Sequence, residues 1–166
     1  MLKKMLLVFV FVVGAVNPVF ADEFFSGIVI EVQDGDTAVV RAENGETKKI
    51  RFYGVDTPES EWPGKWPKQP YSDVAKSFAA SYLNGKAVTV RLTGDTTYSR
   101  EVGEVFRNGY SVSRELVRQG LAWWNSKYSA DDQDLKLLEE SARKQKFGLW
   151  ADSNPTPPWE WRRKNQ

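Results

Sequence analysis

Two turn dipeptides, Asp34-Gly35 and Asn44-Gly45, divide the stretch from residue 24 to residue 53 into three short β-forming runs. Gly and Asn tolerate the positive φ that a tight hairpin demands, so such dipeptides between apolar runs signal β-hairpins. Strands joined in this way are antiparallel neighbours. The spacing predicts a meander over about 24–33, 36–42 and 47–53, with Ile28, Ile30 and Val32 alternating in its first strand. In the third strand Ile50 and Phe52 share a face, which turns Arg51 to the other.

The following elements change the pattern. Residues 60–70 (SEWPGKWPKQP) carry three prolines, and proline cannot donate to a ladder, so this is a loop. Ser72 is a candidate N-cap for a helix over about 73–83, with Ala75, Phe78, Ala79 and Tyr82 as its buried stripe and Asn84-Gly85 as its end. Strands are expected over about 86–93, where Val88, Val90 and Leu92 share a face, and over 102–107, closed by Asn108-Gly109. A second helix covers about 112–119, ended by Gly120. A third covers about 132–146, with a capping box from Ser129 to Asp132 at its start, Leu135, Leu138 and Ala142 as its stripe and Gly148 as its stop. Three strands, a helix, two strands and further helices make an α+β pattern dominated by β. A five-stranded Greek-key barrel of the OB type with three α-helices fits it. Spacing alone fits a small α+β sandwich nearly as well.

The chain has 166 residues, with 23 Lys+Arg, 22 Asp+Glu, no His and no Cys. These absences exclude a Ser-His-Asp triad, an imidazole base, a thiol nucleophile, a disulfide and His- or Cys-bound zinc. Chemistry is left to carboxylates, guanidinium and other polar groups, or to a hard cation held by oxygen. At the start, Lys3 and Lys4 precede the apolar run Met5–Val16, and Val19-Phe20-Ala21 places small residues at −3 and −1 of a cleavage point. Residues 1–21 are therefore expected to be a signal peptide. An uncleaved anchor is the alternative, but the run falls short of the ~20 residues a spanning helix needs. The expected organisation is a leader over 1–21, one domain over 22–153 and a Pro-, Trp- and Arg-rich tail over 154–166. Loss of Lys3 and Lys4 leaves 21 basic against 22 acidic residues, so the secreted chain is near −1.

A polar cluster gathers at two strand ends: Asp34, Asp36, Arg51, Asp56, Thr57 and Glu59. Asp36 and Asp56 are hard oxygen donors suited to Ca²⁺ or Mg²⁺, although the segment is no EF-hand. Taken alone, Asp34-Gly35 is also an ordinary hairpin turn with Asp36 as its cap. Arg51 and Arg100 are candidate phosphate clamps, because guanidinium pairs bidentately with phosphate and stays protonated. On spacing alone each is equally an exposed charge. Tyr98 and Tyr128 are candidate stacking platforms for bases or partners of a phosphate oxygen. The Trp62/Trp66 loop and the Trp159/Trp161 tail are expected to act as lids or in packing.

Four ordered motifs carry a resemblance: D-G-D-T at 34–37, R-F-Y-G-V-D-T-P-E at 51–59, Y-S-R at 98–100 and E-L-V-R-Q-G-L-A-W at 115–123. With the closing A-R-K-Q-K-F-G-L-W to Trp150, the chain resembles the staphylococcal nuclease (thermonuclease) family. The resemblance implies Ca²⁺ held by Asp36, Asp56 and the carbonyl of Thr57, with Arg51 and Arg100 as catalytic arginines. D-T-P-E selects Glu59, rather than the nearby Glu61, as general base or orienter of the attacking water. It further implies a monomeric nuclease acting on DNA and RNA, with accessible strands preferred and 3′-phosphate ends left. Ser99 departs from the glycine usual before the second arginine. The alternative from another class is a non-catalytic OB-fold module that binds oligonucleotides without chemistry.

The leader and the charge carry their own test. Expression in a secreting bacterium is expected to yield a soluble chain beginning at Asp22, read by intact mass; a membrane-retained chain keeping residues 1–21 would contradict the signal-peptide assignment.

Overall fold

The computed structural model describes residues 23–165. The expected signal peptide lies outside the described residues. The chain forms β1 (Glu23–Asp34), β2 (Thr37–Ala42), β3 (Thr47–Phe52), the short β4 (Val55–Asp56), α1 (Ser72–Leu83), β5 (Ala87–Thr97) and β6 (Arg100–Arg107). It continues through β7 (Tyr110–Ser111), α2 (Val112–Arg118), β8 (Trp123–Trp124) and α3 (Gln133–Gln145), then a 3₁₀ turn (Gly148–Ala151) and α4 (Pro158–Asn165). Strand order is β3-β2-β1-β5-β6-β7, and β3 also pairs in parallel with β6. That last pairing closes five strands into a mixed barrel, the OB type expected from the sequence.

The meander is present, but its inward face differs from the simple alternation. Val29 and Val32 are buried, whereas Ile28 and Ile30 are exposed. The register against β2 slips between Val29 and Glu31, so Ile30 is an extra residue that shifts the inward face by one. A β-bulge of this kind bends a strand and re-aims its side chains. A second slip between Val32 and Asp34 leads directly into the turn that presents Asp36.

The two turn glycines have different reasons. Gly45 adopts φ 86°, as its hairpin requires. Gly35 has no positive φ; a Cβ there would stand 2.7 Å from Thr57 Oγ1. The small residue admits Thr57 against the β1–β2 turn.

Inside the barrel, Val29, Val40, Ile50, Phe52, Val90 and Val105 are almost wholly enclosed. Ala75, Ala79 and Leu83 of α1, Leu116 of α2 and Leu135 of α3 close the same core. A second cluster joins Trp123, Ala142, Leu149 and Trp150, with the Arg143 guanidinium 3.8 Å from the Trp150 ring.

Three helix ends differ from expectation. Tyr71, in the left-handed region at φ 69°, precedes α1, and Ser72 lies inside the first turn with its hydroxyl buried. Asp132 alone caps α3 by accepting from Leu135 N; Ser129 instead receives the Trp124 indole N–H. α3 stops at Lys146, φ 56°, and Gly148 opens the 3₁₀ turn. The C-terminal tail contains a fourth helix, α4, which composition did not reveal. Among the described residues no helix is long and apolar enough to cross a membrane.

Leu116 is fully enclosed where α2 meets the barrel. Leu116→Ala is expected to cost about 2–5 kcal/mol, as buried leucine truncations do, seen as an earlier urea midpoint with an unchanged slope.

Candidate functional site

The polar cluster sits where the β1–β2 turn, the end of β3 and the short β4 converge. Register fixes the first contact: Thr37 pairs with Arg51 across β2 and β3, and Phe52 N donates to Asp36 O at 2.8 Å. β4 is held by pairing with β8, Asp56 opposite Trp123. Asp36 and Asp56 are thereby buried on either side of the Arg51 guanidinium. Arg51 is ion-paired to Asp36 Oδ1 through Nη1 and donates from Nη2 to Asp56 Oδ1 at 2.7 Å and to Val55 O at 3.2 Å.

Thr57 completes the hold on Asp36: its backbone N–H and its hydroxyl donate to Oδ2 at 2.8 and 2.9 Å. Asp34 Oδ1 accepts from Asp36 N at 3.1 Å, which shapes the turn. Arg100 reaches the same cluster through an intermediary. Its Nη1 donates to Thr37 Oγ1 at 3.1 Å, and that hydroxyl donates to Asp36 Oδ1 at 3.2 Å. Tyr98 and Ser99 both take left-handed backbone conformations at the tip of the β5–β6 hairpin, φ 48° and 62°, so serine fills the usual glycine position in a turn that still needs positive φ.

Glu59 lies on the loop after β4, and its backbone is fastened by Gln69. Glu59 N donates to Gln69 Oε1 at 3.0 Å, and Gln69 N donates to Glu59 O at 2.9 Å. Gln69 Nε2 then donates to Thr156 O at 2.6 Å, tying this loop to the tail. Glu61, by contrast, is exposed. Tyr98 and Tyr128 also stand in solvent, 91% and 70% exposed, rather than packing into the cluster. Of the tryptophans, Trp62 and Trp66 meet edge to face at 5.1 Å, and Trp159 packs edge-on against Trp123 at 5.8 Å. Trp161 Nε1 donates to Pro67 O at 2.9 Å, so the tail fastens the loop.

The structure adds a residue that sequence reasoning missed. Arg162 of α4 is ion-paired to Glu59 through Nη1 and donates from Nη2 to Asp56 Oδ2 at 3.0 Å. Two signals pointed to a helix here: Pro157-Pro158, with proline at the first helical position, and the basic run Arg162-Arg163-Lys164 near its end. Nothing local showed where that helix would dock.

Electrostatics follow from this crowding. Burial pushes the Glu59 carboxyl up to about 7, opposed by Arg162 and assisted by Asp56. Burial and Asp36 likewise raise Asp34 to about 7. Burial would raise Asp36 too, but Arg51 and the Thr57 hydrogen bonds hold it below the usual carboxylate range. Burial opposes the Arg51 charge, yet Asp36 and Asp56 outweigh it and hold the guanidinium firmly protonated. The arrangement joins a carboxylate at the cluster's edge to a deeper pair of acids and to guanidinium groups suited to phosphate.

A closed OB barrel with acids and guanidinium groups at its rim defines a class of candidate phosphodiester-handling proteins. Residues 49–152 match the family model described as staphylococcal nuclease homologue. The chain is 38% identical over 137 residues to an uncharacterized endonuclease of Escherichia coli, covering 82% of this chain and 84% of that one. It is 30% identical over 138 residues to an uncharacterized endonuclease of Haemophilus influenzae, covering 83% and 73%. A staphylococcal-like nuclease of Arabidopsis thaliana is 38% identical over 117 residues, covering 69% of this chain but 33% of the plant protein. The chain belongs to the staphylococcal nuclease family, a family of nuclease-type hydrolases.

Gln69 is buried, and its side chain serves two backbone groups, Glu59 N and Thr156 O. Gln69→Ala strips partners from Glu59 N and Thr156 O, and is expected to lower stability by about 1–3 kcal/mol, measured by thermal or urea unfolding.

Proposed function

We propose that this protein is a secreted nuclease that hydrolyses phosphodiester bonds of DNA and RNA with Ca²⁺ as cofactor. The observation that carries this reading is the convergence of Asp36, Arg51, Asp56 and Glu59 on one barrel rim. The family resemblance supplies the expected product, a 3′-phosphate end.

The donor chemistry fits a hard cation. Asp34, Asp36, Asp56 and Glu59 bring four carboxylates together, and each candidate ligand in the cluster is an oxygen donor. Asp36, Asp56 and the Thr57 carbonyl would hold Ca²⁺. When bound, it would supply positive charge beside the scissile phosphate.

The chain's own groups would do the rest. Glu59 takes a proton from the attacking water. The water oxygen forms a bond to phosphorus, the bond to the 5′ oxygen breaks, and the departing oxygen takes a proton from solvent water, Glu59 later returning its own proton to solvent. Arg51 and Arg100 offer N–H donors to the phosphate oxygens as charge gathers there. Tyr98 and Tyr128, exposed on the surface, are offered as platforms for unpaired bases. The protein acts as a monomer in this reading. With a net charge near −1, its attraction for a polyanion is local rather than global.

The test is degradation of single-stranded DNA and of RNA by the secreted chain with Ca²⁺ or with chelator. Chelator is expected to abolish cleavage. Glu59→Gln and Arg51→Ala are each expected to reduce it by about 10²–10³-fold, as loss of a transition-state partner does. Undiminished cleavage in chelator, or by both variants, would overturn the assignment; binding without cleavage by the unaltered chain would make it an OB-fold binding module.

A further inference from the structure

The catalytic arginines expected from the sequence are Arg51 and Arg100, yet neither is the guanidinium bonded to Glu59. That position belongs to Arg162, whose bonds reach both Glu59 and Asp56. Its side chain is 30% exposed against 15% for Arg51, so it lies on the solvent side of the cluster. An incoming phosphate would meet Arg162 before it met Arg51.

α4 is also anchored by contacts that carry no charge. Pro158 is buried, Trp159 packs against Trp123, the Trp161 indole N–H holds Pro67 O, and Thr156 O receives Gln69. These four anchors are apolar or neutral, and they deliver the first turns of α4 to the rim. The same Gln69 fastens the Glu59 backbone, so the base candidate and Arg162 are fixed through one side chain. Burial works against the Arg162 charge, and Asp56 and Glu59 hold it protonated. Five N–H donors in a planar fork suit it to exchange a carboxylate for a phosphate, since both accept in the same geometry.

We propose that Arg162 is a third substrate-binding arginine of this site, which holds Glu59 and Asp56 before substrate arrives and takes a phosphate oxygen of the nucleic acid when it binds. This inference rests on the nuclease reading above. It makes α4 part of the substrate site. In the bound state Arg162 pairs with the phosphate, and Glu59 is released from its ion pair to accept the proton of the attacking water.

The test uses the secreted chain carrying Arg162→Gln, Arg162→Lys or Glu59→Gln, with folding verified by thermal melting. Binding of a fluorescein-labelled single-stranded oligodeoxynucleotide is followed by anisotropy in chelator across a salt series. Cleavage is followed separately in Ca²⁺. Each phosphate neutralised on a single strand contributes about 0.7 to the slope of log affinity against log salt. Arg162→Gln is expected to bind about tenfold more weakly, with the slope shallower by about 0.7, and to lose kcat/KM. Arg162→Lys keeps the charge and is expected to keep the slope while losing part of kcat, because lysine lacks the fork. An unchanged slope in Arg162→Gln overturns the proposal whatever the turnover, and a rise in kcat/KM overturns it by showing α4 to be a plug. Should Arg162→Gln fail to fold, Arg162→Lys decides alone: full kcat with an unchanged slope overturns the proposal, and loss of kcat at unchanged slope supports it. Glu59→Gln is expected to bind at least as tightly as the unaltered chain without turning over. If it cleaves at full rate, the nuclease reading fails independently of Arg162.

Discussion

Arg51 lies between Asp36 and Asp56, and most of the site depends on that arrangement. Both carboxylates are almost completely withdrawn from solvent. Removing two such charges from water costs several kcal/mol each unless a counter-charge and hydrogen bonds accompany them. The β2–β3 register brings Arg51 beside Thr37, and the adjoining turn brings Asp36. The β4–β8 pairing brings Asp56 from the other side. The bulges in β1 and the absence of a Cβ at Gly35 admit the turn and Thr57 to the same space. A site of this kind needs a rigid frame, because buried charges tolerate little displacement before their pairing is lost.

That frame extends beyond the barrel. The prolines of the proline- and tryptophan-rich loop cannot donate, and its backbone pairing includes the Trp62–Trp66 bridge and the Gln69 N–H on Glu59 O. Gln69 supplies polar anchors within it, and Trp161 pins it from the tail. The tail in turn rests on Trp123, whose own ring meets Trp150 at 4.3 Å. Through these contacts the aromatic cluster at the base of α3 is continuous with the loop that carries Glu59. The tryptophans expected to serve in packing do so here, although Trp62 remains half exposed.

Much of this was legible locally. Alternation placed Val88, Val90 and Leu92 inward, and the Ile50/Phe52 face turned Arg51 outward, because side-chain direction in a strand repeats every two residues. The motifs located Asp36, Asp56, Thr57 and Glu59 as a group. What misled were features decided by contacts between distant segments. The inward face of β1 is shifted by a bulge. Ser129 is occupied by Trp124 rather than by the helix start, and Ser72 is drawn into the first turn of α1. A cap or a strand face is only a local preference, and tertiary packing overrides it when a buried polar group needs its partner elsewhere.

The sequence by itself determined the chemical vocabulary: with no imidazole and no thiol, only carboxylates, guanidinium and hard oxygen donors remained. It also determined the strand order along the chain, because hairpin turns and alternation act between near neighbours. Only the tertiary structure decided which positive charge faces which carboxylate. Glu59 and Arg162 are separated by 103 residues, and Asp56 and Arg162 by 106. Their meeting requires barrel closure, the tie through Gln69 and the docking of α4 on Trp123. Such long-range contacts form only when many weak packing terms act together, and no local pattern encodes their sum.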